Sequence, residues 1–403
     1  MSLSVESLFA TIVAFAMLTF SFVSYKDFRH PAVLHSLVWS SILFLHSFMP
    51  HSLNAAGANV LLVVVGALLS FAAGCLLVTA LYQTNANAQI KPSYNLRKYR
   101  GFYKVYIAIA LLGIPFVFRK AQQIASHGTT GSFMLNLRLG LNHEAFGNQS
   151  FGILAYISLI AFAAVYLTAL DYKSKNGRLT FLLAIVIACF YVVMSTGRTY
   201  FFLVIIPILF VFSFTNPSKM GLKSFILGFV TIIGFFFFIG VVMGKVGENA
   251  GEAMSSFSLY LLGGVSAFDV VLSQPYDLQY GSNTLRTFFA ILAKIGFEFE
   301  PVKLVKPYVY IPQATNVYTV FYPYYLDYGL TYVFATQFGF GVLHTVLYKR
   351  ALLGQYGFVL AYSLSVYALF IQWFQDQYLS LLTTWVIIGF LLSTPLLLSR
   401  KLN

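Results

Sequence analysis

The stretch STGRT places an arginine between two apolar runs. Arg198 follows TFLLAIVIACFYVV and precedes YFFLVIIPILFVF, and Gly197 beside it permits close approach of another molecule. Arginine presents a planar fork of donors that suits phosphate, so one interpretation is an anion-binding site. The alternative is an arginine that anchors a helix end by extending its charge to the membrane surface. The sequence leaves both interpretations open.

Other cations could belong to the same kind of site. Arg138 in FMLNLRLGLNH and Arg286 in NTLRTFF lie among apolar residues, which suits a partly buried anion site. Lys303 and Lys306 in EPVKLVKP read either as a solvated, headgroup-facing pair or as substrate-binding cations. Each cation taken alone can also be structural, so the type of residue does not decide among them.

Acidic and aromatic residues follow in PQATNVYTVFYPYYLDYGLTYVF. Asp327 can act as a base or as a partner of an arginine, and it can equally be an acid that stabilises a helix N-terminus. The tyrosines fit an aromatic belt at the membrane interface, and Tyr325 among them could line a sugar site, where flat rings stack on pyranose faces. Glu298 and Glu300 are second candidates for a base, and two carboxylates without further ligands do not predict a metal site.

These residues must be positioned by membrane-spanning helices. The chain has 403 residues, of which 59% are hydrophobic and 9% charged, so a soluble domain is excluded. Cys75 and Cys189 lie in apolar runs and read as buried apolar residues, without a disulfide framework. The apolar runs predict an all-α polytopic membrane protein, a single membrane domain over 1–403. Eleven spans are predicted, at 6–24, 32–50, 58–82, 102–118, 151–170, 179–196, 199–214, 224–243, 328–347, 354–372 and 379–398.

The charges of the connecting segments predict the orientation. One set of connections carries 16 of the 25 basic residues and only two acids, Asp27 and Asp171. Basic residues accumulate on the cytoplasmic side, so the N-terminus is predicted outside and the C-terminus inside. The net charge of +13 is then mostly topogenic and implies no nucleic-acid partner.

Two connections on the predicted outer side are long, at about 119–150 and about 244–327. Within the second, SSFSLYLLGGVSAFDVVLS and NTLRTFFAILAKIGF predict amphipathic helices that lie along the membrane face. Arg198 lies in a short turn of its own. All the other candidate cations lie in these two connections. The site is therefore predicted at the outer face of the helices.

Three stretches taken together resemble a known family. STGRTYFF at a helix hairpin, SLYLLGGVSAFD in a long outer loop and TNVYTVFYPYYLDYGL after it resemble the oligosaccharide repeat unit polymerases of the O-antigen (Wzy) type. The resemblance is best over about 170–340. It implies a GT-C-like helical bundle in the bacterial inner membrane that acts at the periplasmic face.

The resemblance also implies a reaction. The family joins oligosaccharide units carried on undecaprenyl diphosphate, and it needs no nucleotide sugar, metal or other cofactor. The family's arginine falls on Arg198, and its asparagine, tyrosine and aspartate fall on Asn316, Tyr318 and Asp327. Besides the lipid-linked substrate and membrane lipid, a chain-length regulator protein is an implied partner. Arg198, Asp327 and Arg286 are thus the predicted catalytic residues, and the predicted substrate-binding residues are Arg138, Asn316, Tyr318, Tyr325, Lys303 and Lys306.

Other functions remain open on the sequence. A flippase or transporter of the same lipid-linked sugars would need cations within the membrane, whereas the cations here cluster toward one face. A polytopic acyltransferase would need a histidine or serine nucleophile arrangement, which the chain lacks. A non-catalytic assembly subunit also fits the composition.

Overall fold

The computed structural model describes residues 4–82, 96–142, 149–216, 227–228, 234, 250–298, 300–303 and 305–399. The described part is mostly helical with almost no β-strand, and ten of its helices are long and apolar enough to cross a membrane. The chain is therefore an all-α, multi-pass membrane protein, and this part of the prediction is confirmed.

The helices and strands are numbered here in chain order. The helices of the N-terminal half are α1 Val5–Tyr25, α2 Pro31–Phe48, α3 Ala58–Leu81, α4 Leu96–Ala125, α5 Phe133–Asn142, α6 Ala155–Leu170, α7 Gly177–Met194 and α8 Arg198–Thr215. Those of the C-terminal half are α9 Ala250–Leu272, α10 Arg286–Lys294, α11 Phe321–Leu352, α12 Tyr356–Phe370 and α13 Leu382–Ser399. A short antiparallel hairpin pairs β1 Val309–Tyr310 with β2 Ala314–Thr315.

The chain divides into two compact units. The first unit contains Met1–Asn85, Gly247–Lys349 and Ser365–Thr383. The second unit contains Ala86–Val246, Arg350–Leu364 and Thr384–Asn403. This division does not test the prediction of a single membrane domain over 1–403, which stays a prediction.

Local sequence explains where the first helices begin and end. Ser4 caps α1 by accepting a hydrogen bond from the backbone N–H of Ser7 at 3.1 Å, and the helix ends at Lys26, whose φ is 50°. Pro31 opens α2, where a missing N–H costs no helical hydrogen bond. His30 caps the same helix end through Nδ1, which accepts from the backbone N–H of Ala32 at 3.3 Å.

Small residues bring α3 and α11 together in the first unit. A Cβ added to Gly74 would collide with the carbonyl oxygen of Phe338, and one added to Gly341 would collide with that of Phe71. Close backbone approach at glycine is how helices pack in lipid, where no hydrophobic force drives them together. These two helices therefore form a fixed support for the segments at their ends.

The helix observed at the predicted span 328–347 is longer than the prediction. Helix α11 begins at Phe321 and is interrupted at Tyr328 and Gly329, where Gly329 has φ 72° and ψ −166°. The tyrosine-rich stretch before the glycine resembles an interfacial loop in composition, but its residues from Phe321 to Asp327 are buried. Burial of these rings stabilises a further helical segment before the interruption, which the sequence did not predict, whereas the predicted start at 328 falls at the interruption itself.

Both helices predicted in the segment 244–327 are present as α9 and α10. Along its length α9 contacts connecting segments at one end of the first unit: Ser255 accepts from Gln313 at 2.6 Å, and Ser266 donates to the carbonyl of Asn54 at 2.8 Å. Near its C-terminus, Asp269 accepts from the backbone N–H of Gly57 at 3.0 Å. Helix α9 is also among the ten that are long enough to span, so its lying along the membrane stays a prediction.

In the second unit, α4 extends beyond the predicted span 102–118. It continues to Ala125, so Arg119 and Lys120 lie in a helix and not in the predicted connection 119–150. Long basic side chains can extend to the membrane surface from a helix, so their charge does not end it. Helix α5 follows and carries Arg138.

Ten of the eleven predicted spans correspond to observed helices. The predicted span 354–372 is a 15-residue helix, α12, shorter than the other spans. The predicted span 224–243 lies outside the described residues, apart from three positions. The total number of spans therefore stays a prediction.

Candidate functional site

A cavity of about 290 Å³ lies in the first unit, beside the N-terminus of α11 and the segment that joins α12 to α13. Its wall combines cations, one carboxylate, side-chain amides, hydroxyls and aromatic rings. The lining residues are Asn283, Arg286, Val305, Lys306, Asn316, Val317, Tyr318, Thr319, Tyr322, Pro323, Phe374, Gln375, Asp376, Gln377, Ser380 and Leu381. Four predicted site residues are thereby brought together: Arg286, Lys306, Asn316 and Tyr318.

Lys306 is partly buried in the cavity wall. Its Nζ donates to Oδ1 of Asn283 at 3.3 Å and lies 5.5 Å from the ring centroid of Tyr322. Burial lowers the pKa of Lys306 below the ordinary lysine value, and the charge of Arg286 acts in the same direction. The carboxylates of Asp376 and Asp327 oppose this shift without cancelling it. The ammonium group is therefore poorly compensated by the protein around it.

Arg286 opens α10 and is the second cation of the cavity. Its Nε donates to the carbonyl oxygen of Val302 at 2.5 Å, which leaves the other guanidinium N–H groups to the cavity. Burial lowers its pKa as well. Among the residues that the structure describes, no carboxylate lies within 4.0 Å of Arg286 or Lys306. Two partly buried cations of this kind suit an anionic ligand.

Asp327 lies behind the cavity wall and does not line it. Its Oδ1 accepts from the backbone N–H of Asn283 at 3.1 Å and from Nδ2 of the same residue at 2.8 Å. Its Oδ2 accepts from the backbone N–H of Thr284 at 2.8 Å and from the Thr284 hydroxyl at 2.7 Å. The side chain is fully buried, and these four hydrogen bonds fill its acceptor sites. Asp327 therefore fixes Asn283, which in turn orients Lys306.

Asp376 is the carboxylate that does line the cavity, and it is 6% exposed. Its Oδ1 accepts from the hydroxyl of Tyr324 at 2.7 Å and from the backbone N–H of Tyr378 at 2.9 Å. Its Oδ2 accepts from the backbone N–H of Ser380 at 2.8 Å. Three hydrogen bonds hold the group rigidly, and in the described part of the chain one acceptor site of Oδ2 is left over.

Aromatic rings and amides complete the wall. Tyr318 and Tyr322 stack with their ring centroids 4.2 Å apart, and the Tyr318 hydroxyl donates to the carbonyl of Pro307 at 2.8 Å. Burial raises the pKa of Tyr318, so its hydroxyl stays a donor. Asn316, Gln375 and Gln377 also line the cavity, and Oε1 of Gln377 accepts from the hydroxyl of Tyr367 at 2.8 Å. Flat rings beside amides are the groups that recognise the faces and hydroxyls of sugars.

Other predicted site residues of the first unit lie outside this cavity. Tyr325 is buried and its ring lies 4.3 Å from that of Tyr276, so it packs in the protein and does not line the wall. Lys303, Glu298 and Glu300 are exposed and do not line it either. In the described residues no three His, Cys, Asp or Glu side chains are grouped as a metal would need.

Arg198 and Arg138 belong to the second unit. Arg198 is the first residue of α8, preceded by Gly197 in an extended conformation and by Thr196 with φ 52°. It is 6% exposed, so protein encloses its side chain. This burial argues against an anchor that extends to the lipid headgroups. Arg138 is partly buried on α5.

Sequence reasoning missed Asp376, Asn283 and the amides near them. The available signal was QWFQDQYLS, in which three glutamines, an aspartate and a serine lie between two apolar runs. Gln372 of this stretch is fully buried and accepts from Nε1 of Trp39 at 3.1 Å, so part of the stretch is structural. Composition alone does not distinguish a buried structural residue such as Gln372 from a residue that lines the cavity, such as Asp376.

Comparison of the chain with protein-family models, with curated proteins and with solved structures finds no match.

Proposed function

We propose that the chain is an integral-membrane glycosyltransferase that joins oligosaccharide units carried on undecaprenyl diphosphate into a polymer. The observation that carries the proposal is the cavity with Arg286 and Lys306, neither of which has a described carboxylate within 4.0 Å. A diphosphate supplies the missing negative charge. The resemblance of STGRTYFF and TNVYTVFYPYYLDYGL to the repeat unit polymerases supports the same substrate.

The composition of the cavity also fits a sugar next to the diphosphate. The stacked pair Tyr318 and Tyr322 offers aromatic faces, and Asn316 offers an amide beside it. A nucleic acid or an acidic peptide would need an extended basic surface, whereas the cations here are two and lie in a cavity of limited volume. The substrate we propose therefore combines a compact anion with a carbohydrate.

The chemistry follows from where charge develops. When the bond between the sugar and the diphosphate breaks, negative charge increases on the departing lipid diphosphate. Arg286 and Lys306, already fixed by Val302 and Asn283, stabilise that charge without having to reorganise. The proposal places this reaction at the periplasmic side of a bacterial inner membrane, in a GT-C-like bundle, with a chain-length regulator as partner.

Deletion of the chain followed by gel analysis of surface polysaccharide tests the proposal. We expect the ladder to disappear while single repeat units remain attached, because transport and attachment do not need the polymerase. Loss of every unit would instead indicate a flippase for the lipid-linked sugar. The purified protein in liposomes should then convert lipid-linked units extracted from the deletion strain into longer products.

A further inference from the structure

We propose, on the basis of the polymerase function above, that Asp376 accepts the proton of the sugar hydroxyl that attacks the donor. Asp376 is the carboxylate of the cavity wall in the described part of the chain, and it lies in the same wall as Arg286 and Lys306. A hydroxyl that attacks in this cavity therefore has a proton acceptor on the wall, beside the cations that receive the diphosphate.

The surroundings of Asp376 suit a base that must hold one orientation. Its Oδ1 is fixed by Tyr324 and Tyr378, and its Oδ2 by the backbone N–H of Ser380. All three donors come from the protein, so the carboxylate is held before substrate binds. A carboxylate offers about four acceptor sites, and the unused one on Oδ2 can take the hydroxyl of the acceptor sugar.

Asp327 provides the contrast that makes the assignment specific. Both aspartates are buried, but Asp327 uses all four acceptor sites on Asn283 and Thr284 and does not line the cavity. To accept a proton, Asp327 would have to give up one of these hydrogen bonds. Asp327 is therefore a positioning residue for Asn283 and Lys306, and the catalytic role assigned to it from the sequence passes to Asp376.

The step is a direct displacement. The oxygen of the acceptor hydroxyl forms a bond to the anomeric carbon of the donor unit, while its proton moves to Oδ2 of Asp376. The bond between that carbon and the diphosphate oxygen breaks, and its electron pair leaves with undecaprenyl diphosphate beside Arg286 and Lys306. Asp376 then returns the proton to water or to the departing diphosphate, so that no oxidant, metal or nucleotide is consumed.

The test compares Asp376→Asn with the wild-type protein in liposomes at equal protein abundance. We expect the transfer rate to fall by about 10²–10⁴, the usual contribution of general base catalysis. Binding of undecaprenyl diphosphate, measured with the lipid alone, should be unchanged, because the anion contacts the cations. Formate added to Asp376→Ala should restore part of the rate by replacing the lost carboxylate, which a purely structural role would not allow.

Two further variants keep the inference falsifiable. Asp277→Asn, an exposed aspartate of the same unit, should transfer at the wild-type rate. If Asp376→Asn does not accumulate, Asp376→Glu retains the charge but moves the carboxylate, so its rate should fall with lipid binding unchanged.

A wild-type rate in Asp376→Asn, or in Asp376→Ala without formate, would overturn the inference and leave the polymerase function standing. Loss of undecaprenyl diphosphate binding in Asp376→Asn would also overturn it, since the carboxylate would then only shape the site. A wild-type protein that binds this lipid but never joins units would overturn the proposed function, and the inference with it.

Discussion

Basic side chains lie at both ends of the first unit, and their surroundings differ. In the connection between α1 and α2, Arg29 donates from Nε and Nη2 to the carboxylate of Asp27, and Tyr348 donates to it at 2.6 Å. At the end where α11 begins, Arg286 and Lys306 line the cavity. Among the described residues, no carboxylate oxygen lies within 4.0 Å of their side-chain nitrogens. The first cation is paired within the protein, and the other two are not.

The difference separates two uses of the same residue types. A partly buried charge is costly unless an opposite charge or several hydrogen bonds compensate it. Asp27 provides that compensation for Arg29, so this cluster stabilises the fold by itself. For Lys306 the compensation is incomplete, because Asp376 and Asp327 do not cancel the effect of burial, and a ligand can bring the remaining negative charge. Removing a cation should therefore change catalysis at one end and stability at the other.

The largest effect is expected for Lys306→Met, which removes the charge but keeps an apolar side chain of similar length against Tyr322. Loss of one group that stabilises developing charge typically lowers the rate by about 10²–10³. Two measurements test this loss of rate: the length of the polysaccharide ladder at equal membrane abundance, and the transfer rate in liposomes. Lys294→Met, at the exposed end of α10, is the matched control and should behave as wild type. Normal polymer from Lys306→Met would remove this cation from the site.

A smaller effect, about 10–100-fold in rate, is expected for Arg198→Lys. The sequence predicts that Arg198 binds phosphate; in that role lysine would keep the charge but lose the planar two-point contact, and one charge-assisted hydrogen bond contributes about 1.5–3 kcal/mol. Arg198→Ala, which also removes the charge, should reduce polymerisation no more than Lys306→Met does, with the protein still inserted. A paired, structural arginine of the Arg29 type predicts the reverse: near-normal activity for Arg198→Lys and low membrane abundance for Arg198→Ala. Ladder length and abundance, measured together, decide between them.

Much of the fold follows from the sequence because spanning helices depend on local composition. Runs such as that of α3 must be helical in lipid, so ten predicted spans correspond to observed helices. Helix ends were less predictable, because tertiary contacts determine them. Tyr322 and Tyr324 read as interfacial residues, yet they are buried and helical, and the helix is interrupted only later, at Tyr328 and Gly329.

The candidate site was predictable in part. Arg286 and Lys306 could be selected from residue type and their position in an outer connection. Asn316 was selected from the family resemblance, and Tyr318 from that resemblance and the tyrosine-rich stretch. The structure brings all four together. The roles of the two aspartates could not be read from sequence. They depend on whether the acceptor sites of a carboxylate are filled. The donors to Asp327 are 43 and 44 positions away, and one of the donors to Asp376, Tyr324, is 52 positions away.

The cluster of Asp27, Arg29 and Tyr348 should affect the stability of the protein and not catalysis. Burial alone would raise the pKa of Asp27, but the hydrogen bonds from Arg29 and Tyr348 outweigh it and lower the pKa below the ordinary value. Its contribution is therefore present above that ordinary value and is lost as the pH falls through the lowered pKa. Asp27→Asn should lose about 1.5–3 kcal/mol of stability at neutral pH, the value of a hydrogen bond to a charged group.

Thermal unfolding of the detergent-solubilised protein as a function of pH measures this effect. The wild-type protein should lose its advantage over Asp27→Asn only in acid, and the transfer rate per folded molecule should be equal for the two at neutral pH. A reduced rate in Asp27→Asn at full occupancy of the folded state would show that the paired cluster also serves catalysis.

The smallest effect at neutral pH is expected for Lys306→Arg, which keeps the cation in the cavity. The two proteins should separate as the pH rises, because burial and Arg286 lower the pKa of Lys306, whereas an arginine stays protonated. The wild-type kcat/KM, which reports the free protein, should therefore decline below the ordinary lysine pKa of about 10.4, while that of Lys306→Arg stays level. Lys294→Arg controls for general alkaline effects and should follow the wild type. If kcat/KM declines at the same pH in the wild type and in Lys306→Arg, the group that titrates is not Lys306. The contrast between the two ends of the unit would then rest on Arg286.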